Sequence, residues 1–203
     1  MMPTHRRSAL SAVALLSFTF GAPRAAWTAA EARFDAVSIE DGLMQSTVYA
    51  IAQAPDGLIY LGTERGAASF DGYSLHPLQV PGLAGQPVTL LRVTPDGTLF
   101  SGSFSSGLVA YDLATGTFRA YDHDPEDPST LGGLDIRDLA PAGPGRLWVG
   151  TSAGVDLLDV LTGRVTRMAE MMGAAGFPAV GIRALRCDRS GGLWMGTDGA
   201  GLL

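Results

Sequence analysis

The sequence predicts an all-β chain made of β-propeller blades, each a four-stranded antiparallel meander, and three observations predict it. The turn glycines Gly57, Gly97, Gly145 and Gly191 recur at intervals of 40 to 48 residues, and each is followed five residues later by Gly62-Thr63, Gly102-Ser103, Gly150-Thr151 or Gly196-Thr197. An aromatic side chain holds the same place before every one of these pairs, as Tyr60, Phe100, Trp148 and Trp194. The runs that open each unit are apolar on both faces, as strands are when sheets stack radially and each is covered on both sides.

Each element of the unit has its own signal. Val48-Tyr49-Ala50-Ile51-Ala52-Gln53 is the first strand, and Asp56-Gly57 is expected as a two-residue hairpin turn with positive φ. Leu58 to Leu61, Thr98 to Ser101, Arg146 to Val149 and Gly192 to Met195 are the second strands. Gly107 to Asp112 and Gly154 to Asp159 are third strands, and Thr115-Gly116 and Thr162-Gly163 turn into fourth ones. The units run over about 43–80, 84–131, 132–178 and 179–203. The aromatic column is expected to be inter-blade core, and the Gly-Thr pairs to permit a tight loop.

Composition excludes several functions. With 46% apolar residues against 17% charged, the chain collapses and folds. All 14 basic residues are Arg and 20 acidic residues outnumber them, so no basic footprint for nucleic acid exists. The single Cys187 allows no intrachain disulfide and is expected to be buried, while His5, His76 and His123 have no metal-ligand spacing. The acidic run Asp122 to Asp127 lacks the central glycine and the twelfth-position glutamate of a calcium loop and reads as a solvated connector. The Met168 to Pro178 segment reads as a loop packed over a blade edge. No Gly-x-Ser-x-Gly elbow, phosphate loop or paired-carboxylate arrangement occurs, and Ser105 and Ser106 have no histidine in a matching column. No catalytic residue, metal or cofactor is assigned.

Residues 1–32 read as a secretory signal: Arg6-Arg7, an apolar stretch from Ser8 to Ala22, and a small-x-small cleavage site at Ala30-Glu31-Ala32. Export would leave residues 33–203 as a partial propeller in the periplasm, with 11 basic and 19 acidic residues. At roughly 45 residues per unit this segment makes an incomplete ring of about three and a half blades, which reads as an N-terminal fragment. Its unpaired faces are expected to drive self-association. Arg33 to Ile39 is expected as an outer strand belonging to a C-terminal blade that the chain does not contain.

Gly42 to Gln53, Asp56 to Thr63 and Phe70-Asp71-Gly72-Tyr73 together resemble the opening repeat of the two-component regulator propellers, the periplasmic sensor domains of bacterial signalling receptors. Tyr121 to Leu131 resembles the linker between repeats in that family, and Leu147-Trp148-Val149-Gly150-Thr151 its core signature. Ala54, Tyr60 and Ala67-Ala68 depart from the family's acidic residue, Trp and Gly-Leu. The resemblance implies the ligand-sensing part of a membrane receptor of the histidine kinase or diguanylate cyclase type, with the membrane reached only through later C-terminal parts.

Candidate binding residues follow from blade geometry. The second position of each first strand holds Tyr49, Thr89, Arg137 and Arg183, where first strands open onto the mouth of a propeller channel and polar groups of several blades converge. Arg137 and Arg183 suit a carboxylate or sulfate; equally, Arg137 can pair with Asp135 or Asp138, and Arg183 with Asp188. The loops Glu64-Arg65, Phe104 to Ser106, Ser152-Ala153 and Asp198 to Ala200 share that rim. Tyr49, Arg65, Arg137 and Arg183 are the candidates for a small-molecule or oligosaccharide ligand. A secreted propeller lyase or glycan-active hydrolase, and a protein-interaction scaffold, are the alternatives.

Overall fold

The computed structural model describes residues 35–172 and 180–203. The signal-like segment and Gly173 to Pro178 therefore lie outside the described residues. Three four-stranded antiparallel meanders follow one another: β1 (Val48–Gln53), β2 (Ile59–Thr63), β3 (Gly66–Phe70) and β4 (Leu75–Pro77); then β5 (Leu90–Val93), β6 (Thr98–Gly102), β7 (Leu108–Asp112) and β8 (Phe118–Tyr121); then β9 (Ile136–Pro141), β10 (Arg146–Thr151), β11 (Gly154–Asp159) and β12 (Val165–Arg167). A fourth sheet has β13 (Ile182–Cys187) and β14 (Leu193–Thr197), with a bridge from Gly196 to Leu202. The first strands β1, β5, β9 and β13 neighbour one another in turn, so the sheets stack as propeller blades around an inner edge, and the ring is not closed.

The turn from first to second strand is longer than the sequence suggests. Ala54 N–H donates to Leu58 O and Gly57 N–H to Ala54 O, so Pro55-Asp56-Gly57 is a three-residue loop. The same pair of bonds closes Pro95-Asp96-Gly97 and Arg189-Ser190-Gly191. Proline suits the second position of a type I turn, and Gly57, at φ 95°, supplies the left-handed residue that follows it.

Between the blades run three apolar layers. Tyr60 packs with Val88, Leu91, Leu99 and Val109 of the second blade. Phe100 packs with Ile136, Leu139, Leu147 and Val149 of the third. Trp148 packs against Ile182, Leu185 and Met195 of the fourth. The aromatic column is thus inter-blade core in three blades, each ring reaching forward to the next blade, while Trp194 in the fourth is 49% exposed.

Three local expectations change. Met168–Met172 is a short helix, α1, not a loop, and Met168 is buried against Val155 and Ile182. Cys187 is half-buried, its Sγ 2.8 Å from the Pro141 carbonyl, and burial raises its thiol pKa. Residues 35–38 form no strand, and Ile39, expected to end one, opens a 3₁₀ turn (Ile39–Asp41) capped by Ser38. The acidic connector is held from across the blade by Arg167, which donates to the carbonyls of Asp124, Asp127 and Thr130 at 2.6 to 2.9 Å. A basic side chain thereby satisfies backbone acceptors that a strand ladder does not reach.

Turn carboxylates set the acid response. Ser74 N–H beside Asp71, Thr115 N–H beside Asp112, the Ser129 hydroxyl beside Asp127 and Thr162 N–H beside Asp159 hold these carboxyls below their ordinary range. Asp188 is lowered most, by the Ser190 hydroxyl and then by the Trp194 indole, whose Nε1 donates at 2.9 Å. A depressed folded-state pKa supports stability above the unfolded carboxylate value of about 3.9 and loses that support as pH falls through the folded value. The melting temperature is therefore expected to be flat between about pH 5 and 7 and to decline below about pH 4, and a melting temperature that rises on acidification would contradict these turn contacts.

Candidate functional site

The rim that carries the candidate residues is organised by the hydroxyl of the Gly-Thr column. Thr63 Oγ1 donates to Gly66 O at 2.9 Å and accepts from Arg65 N–H; Thr151 does the same with Gly154 O and Ala153 N–H. Thr197 donates to Gly201 O and accepts from Ala200 N–H, while Ser103 accepts from Ser105 and Ser106 N–H. The hydroxyl column is thus a set of loop caps, a role beyond the small size read from the sequence. It fixes the rim loops on rigid strand ends while their side chains stay exposed.

Arg137, near the start of β9, donates from Nη2 to Asp135 Oδ2 at 2.5 Å, and its guanidinium stands 5.5 Å from the centre of the Phe104 ring, a cation–π contact between the second and third blades. Phe104 is 56% exposed. The Arg137 Nε and Asp135 Oδ1 are enclosed with no hydrogen-bond partner. Arg183 pairs with Asp198 at 2.7 Å rather than with Asp188, whose carboxylate is taken by Ser190, Gly192 and Trp194. Both arginines are therefore charge-compensated by a rim acid.

Tyr49 is exposed on the open side of the first blade. Arg65 lies with Gln45, Glu64 and Pro87 along a shallow groove of about 620 Å³, where Gln45 Nε2 donates to Glu64 at 3.1 Å. Of the four candidates, Arg137 is the one placed against an exposed ring from the neighbouring blade. Phe104 was legible only as part of a loop, because nothing in one sequence says that its ring would meet an arginine from the next unit.

A second polar tie escaped sequence reasoning. Asp138 accepts from the backbone N–H of Leu185 at 2.7 Å and lies 3.6 Å from Arg92 Nη2, linking the first strands of blades two, three and four. The signal was present: Asp138 stands in the column occupied by Ala50, Leu90 and Ala184 in the other blades, as their shared pairing with the Gly column shows.

Neither described histidine joins the rim. His76 lies 3.7 Å from Asp71, beside the turn into β4, and His123 Nδ1 is 2.6 Å from Leu131 O in the connector. Among the described residues no group of three His, Cys, Asp or Glu could hold a metal ion, and no helix is long and apolar enough to cross a membrane. On the opposite rim a cavity of about 340 Å³ lies between the second and third blades, lined by Pro95, Phe100, Pro141, Pro144 and Leu147.

Comparison with known proteins shows what the architecture resembles. No curated protein matches the chain. A structure of the extracellular domain of a protein from B. thetaiotaomicron, assigned as the hybrid two component system BT3049, is 26% identical, with a TM-score of 0.74 over 83% of this chain and 24% of that one. The corresponding domain of BT4673 is 22% identical, with a TM-score of 0.59 over 74% of this chain and 19% of that one. A streptogramin B lyase shares the fold at 15% identity, with a TM-score of 0.55 over 73% of this chain and 47% of that one. The chain spans about a quarter or less of the two extracellular domains it resembles. The two component regulator propeller model matches residues 42–65 and 176–199, so these two segments, in the first and fourth blades, are similar to the repeats of that propeller family.

Proposed function

We propose that the chain is the ligand-binding part of an extracytoplasmic receptor, and that a small molecule or oligosaccharide docks at the Phe104, Asp135 and Arg137 cluster of the rim. The observation that carries the receptor reading is the likeness to the BT3049 extracellular domain across 83% of the chain. In the longer protein, ligand would bias one arrangement of the ectodomain over another, and a membrane span would carry that shift to a histidine kinase or diguanylate cyclase output.

The chemistry of the cluster narrows the ligand. Arg137 and Arg183 already face Asp135 and Asp198, so a carboxylate or sulfate must first displace an acid. A neutral polyhydroxylated ligand need not. Its hydroxyls both donate and accept, which suits the edge of an arginine–aspartate pair, and its apolar face suits the exposed Phe104 ring. The lyase fold neighbour offers an enzymatic alternative, but the described histidines lie away from this rim.

Calorimetric titration of the chain with a panel of neutral, carboxylated and sulfated oligosaccharides tests the reading. Binding by a neutral member is expected, weakened at least about tenfold by Arg137→Ala or Phe104→Ala, a loss of about 1.4 kcal/mol. Binding indifferent to both substitutions would move the site elsewhere, and turnover of a ligand would favour the enzyme.

A further inference from the structure

The cavity on the opposite rim lies at the junction of the second and third blades, and the repeat columns show how it arises. At the junction before it, Leu58, Tyr111 and Leu113 pack against the layer around Tyr60. One junction on, the same columns hold Thr98, Leu158 and Val160. Thr98 follows its turn glycine as Leu58 does, Leu158 pairs with Leu147 as Tyr111 pairs with Leu99, and Val160 N–H donates to Gly145 O as Leu113 N–H does to Gly97 O. All three side chains are smaller, and beside them a space of about 340 Å³ opens between the two blades. Buried Phe100 and Leu147 and half-buried Val160 form its floor, and exposed Pro95, Pro141 and Pro144 its mouth. The volume falls in the range of small-molecule sites, about 300–1,000 Å³, and walls this apolar give water few hydrogen-bond partners.

Two opposite charges line the same cavity, Asp96 from the second blade and Arg146 from the third. Asp56, which shares the Asp96 column, accepts from Leu58 N–H at 3.0 Å, whereas Asp96 is reached by the Thr98 hydroxyl at 3.5 Å. Arg146 Nε stands 3.7 Å from Asp159 Oδ2, too far for a hydrogen bond, and its side chain is 57% exposed. The other oxygen of that carboxylate is taken by Thr162. Neither charge is held closely, so each can turn to a ligand. We propose that the cavity takes a free α-amino acid with an aromatic side chain, its α-carboxylate on Arg146, its α-ammonium on Asp96 and its ring over Phe100, Leu147 and Val160. The guanidinium offers paired N–H donors to a carboxylate, and an aromatic ring packs well against another ring. A ligand with one charge would satisfy one side chain and face the other unpaired; a zwitterion meets both. Bound in this way it ties the second blade to the third. The site is separate from the Phe104 cluster and does not rest on it.

Titration calorimetry of the full chain with L-phenylalanine and L-tryptophan provides the test. Each is expected to bind one to one. Three probes are expected to bind at least about tenfold more weakly than L-phenylalanine: its amide, which lacks the carboxylate; 3-phenylpropionate, which lacks the ammonium; and L-alanine, which lacks the ring. Asp96→Asn should weaken L-phenylalanine about tenfold and leave 3-phenylpropionate no weaker, while Arg146→Gln should weaken L-phenylalanine and leave the amide no weaker. Val160→Phe fills the space and should abolish binding. The two charge variants sit at exposed positions and carry the test if Val160→Phe does not fold. Failure of both amino acids to bind would overturn the inference. So would L-alanine or either singly charged probe binding as tightly as L-phenylalanine, or binding that the variants leave intact.

Discussion

Phe100→Ala is expected to cost about 3–5 kcal/mol, the range for removing a large aromatic from a packed core. Phe100 is fully buried between the second and third blades, against Leu108, Ile136, Leu139 and Leu147. Its loss takes apolar contacts from both blades at once. The site also collapses poorly, because the ring borders the 340 Å³ cavity beneath the two blades, and the space left by the side chain adds to that cavity. Cost rises with the cavity that remains, which puts this substitution towards the upper end of the range. Chemical denaturation of the wild type and the variant at equal protein concentration would show the loss as a lower midpoint. A cost under about 1 kcal/mol would mean that the blades are not coupled through the aromatic column.

Blade number, strand order and the placing of the aromatic column in the inter-blade core were legible because all of them are periodic. A repeated column such as Tyr60, Phe100 and Trp148 reports a repeated environment, and the period supplies the register even where one member departs in chemistry. What was not legible is what is particular to one blade or depends on a neighbour in space. Pro55-Asp56-Gly57 forms a three-residue loop because Ala54 and Leu58 pair, a backbone choice that the Asp-Gly pair alone does not fix. The Arg183 partner changed from Asp188 to Asp198 because turn and indole donors already occupy Asp188. Arg137 meets Phe104 across an inter-blade junction, a contact separated along the chain by most of a repeat. The Met168–Met172 helix interrupts the repeat pattern and so left no column to read.

Alanine in the glycine column should divide by position, with Gly62→Ala severe and Gly196→Ala silent for folding of the chain itself. Gly62 has no positive φ, so its need for glycine is one of space. A Cβ there would stand 2.6 Å from the Val88 carbonyl oxygen and 2.8 Å from Val88 Cγ1. The oxygen is backbone and cannot rotate aside, and the Val88 N–H is bonded to Thr63 O at 2.9 Å, which pins the same peptide segment to the strand that carries the glycine. Relief requires the second blade to move off the first, opening the layer that buries Tyr60, Leu91 and Leu99. Overpacking of this kind costs about 1–3 kcal/mol and occasionally more. Gly150→Ala should cost less, since its obstruction is the Ile182 side chain, which has rotamers available. At Gly196 the nearest atom lies at 3.6 Å, ordinary contact distance, so alanine should change stability by no more than about 0.5 kcal/mol. Thermal melts at concentrations where the chain is monomeric would rank the three, with Gly62→Ala lowest and Gly196→Ala level with the wild type. An equal loss at all three positions would show that the column serves the conformation of each strand, not the approach of the next blade, because only the first role is shared by the fourth blade.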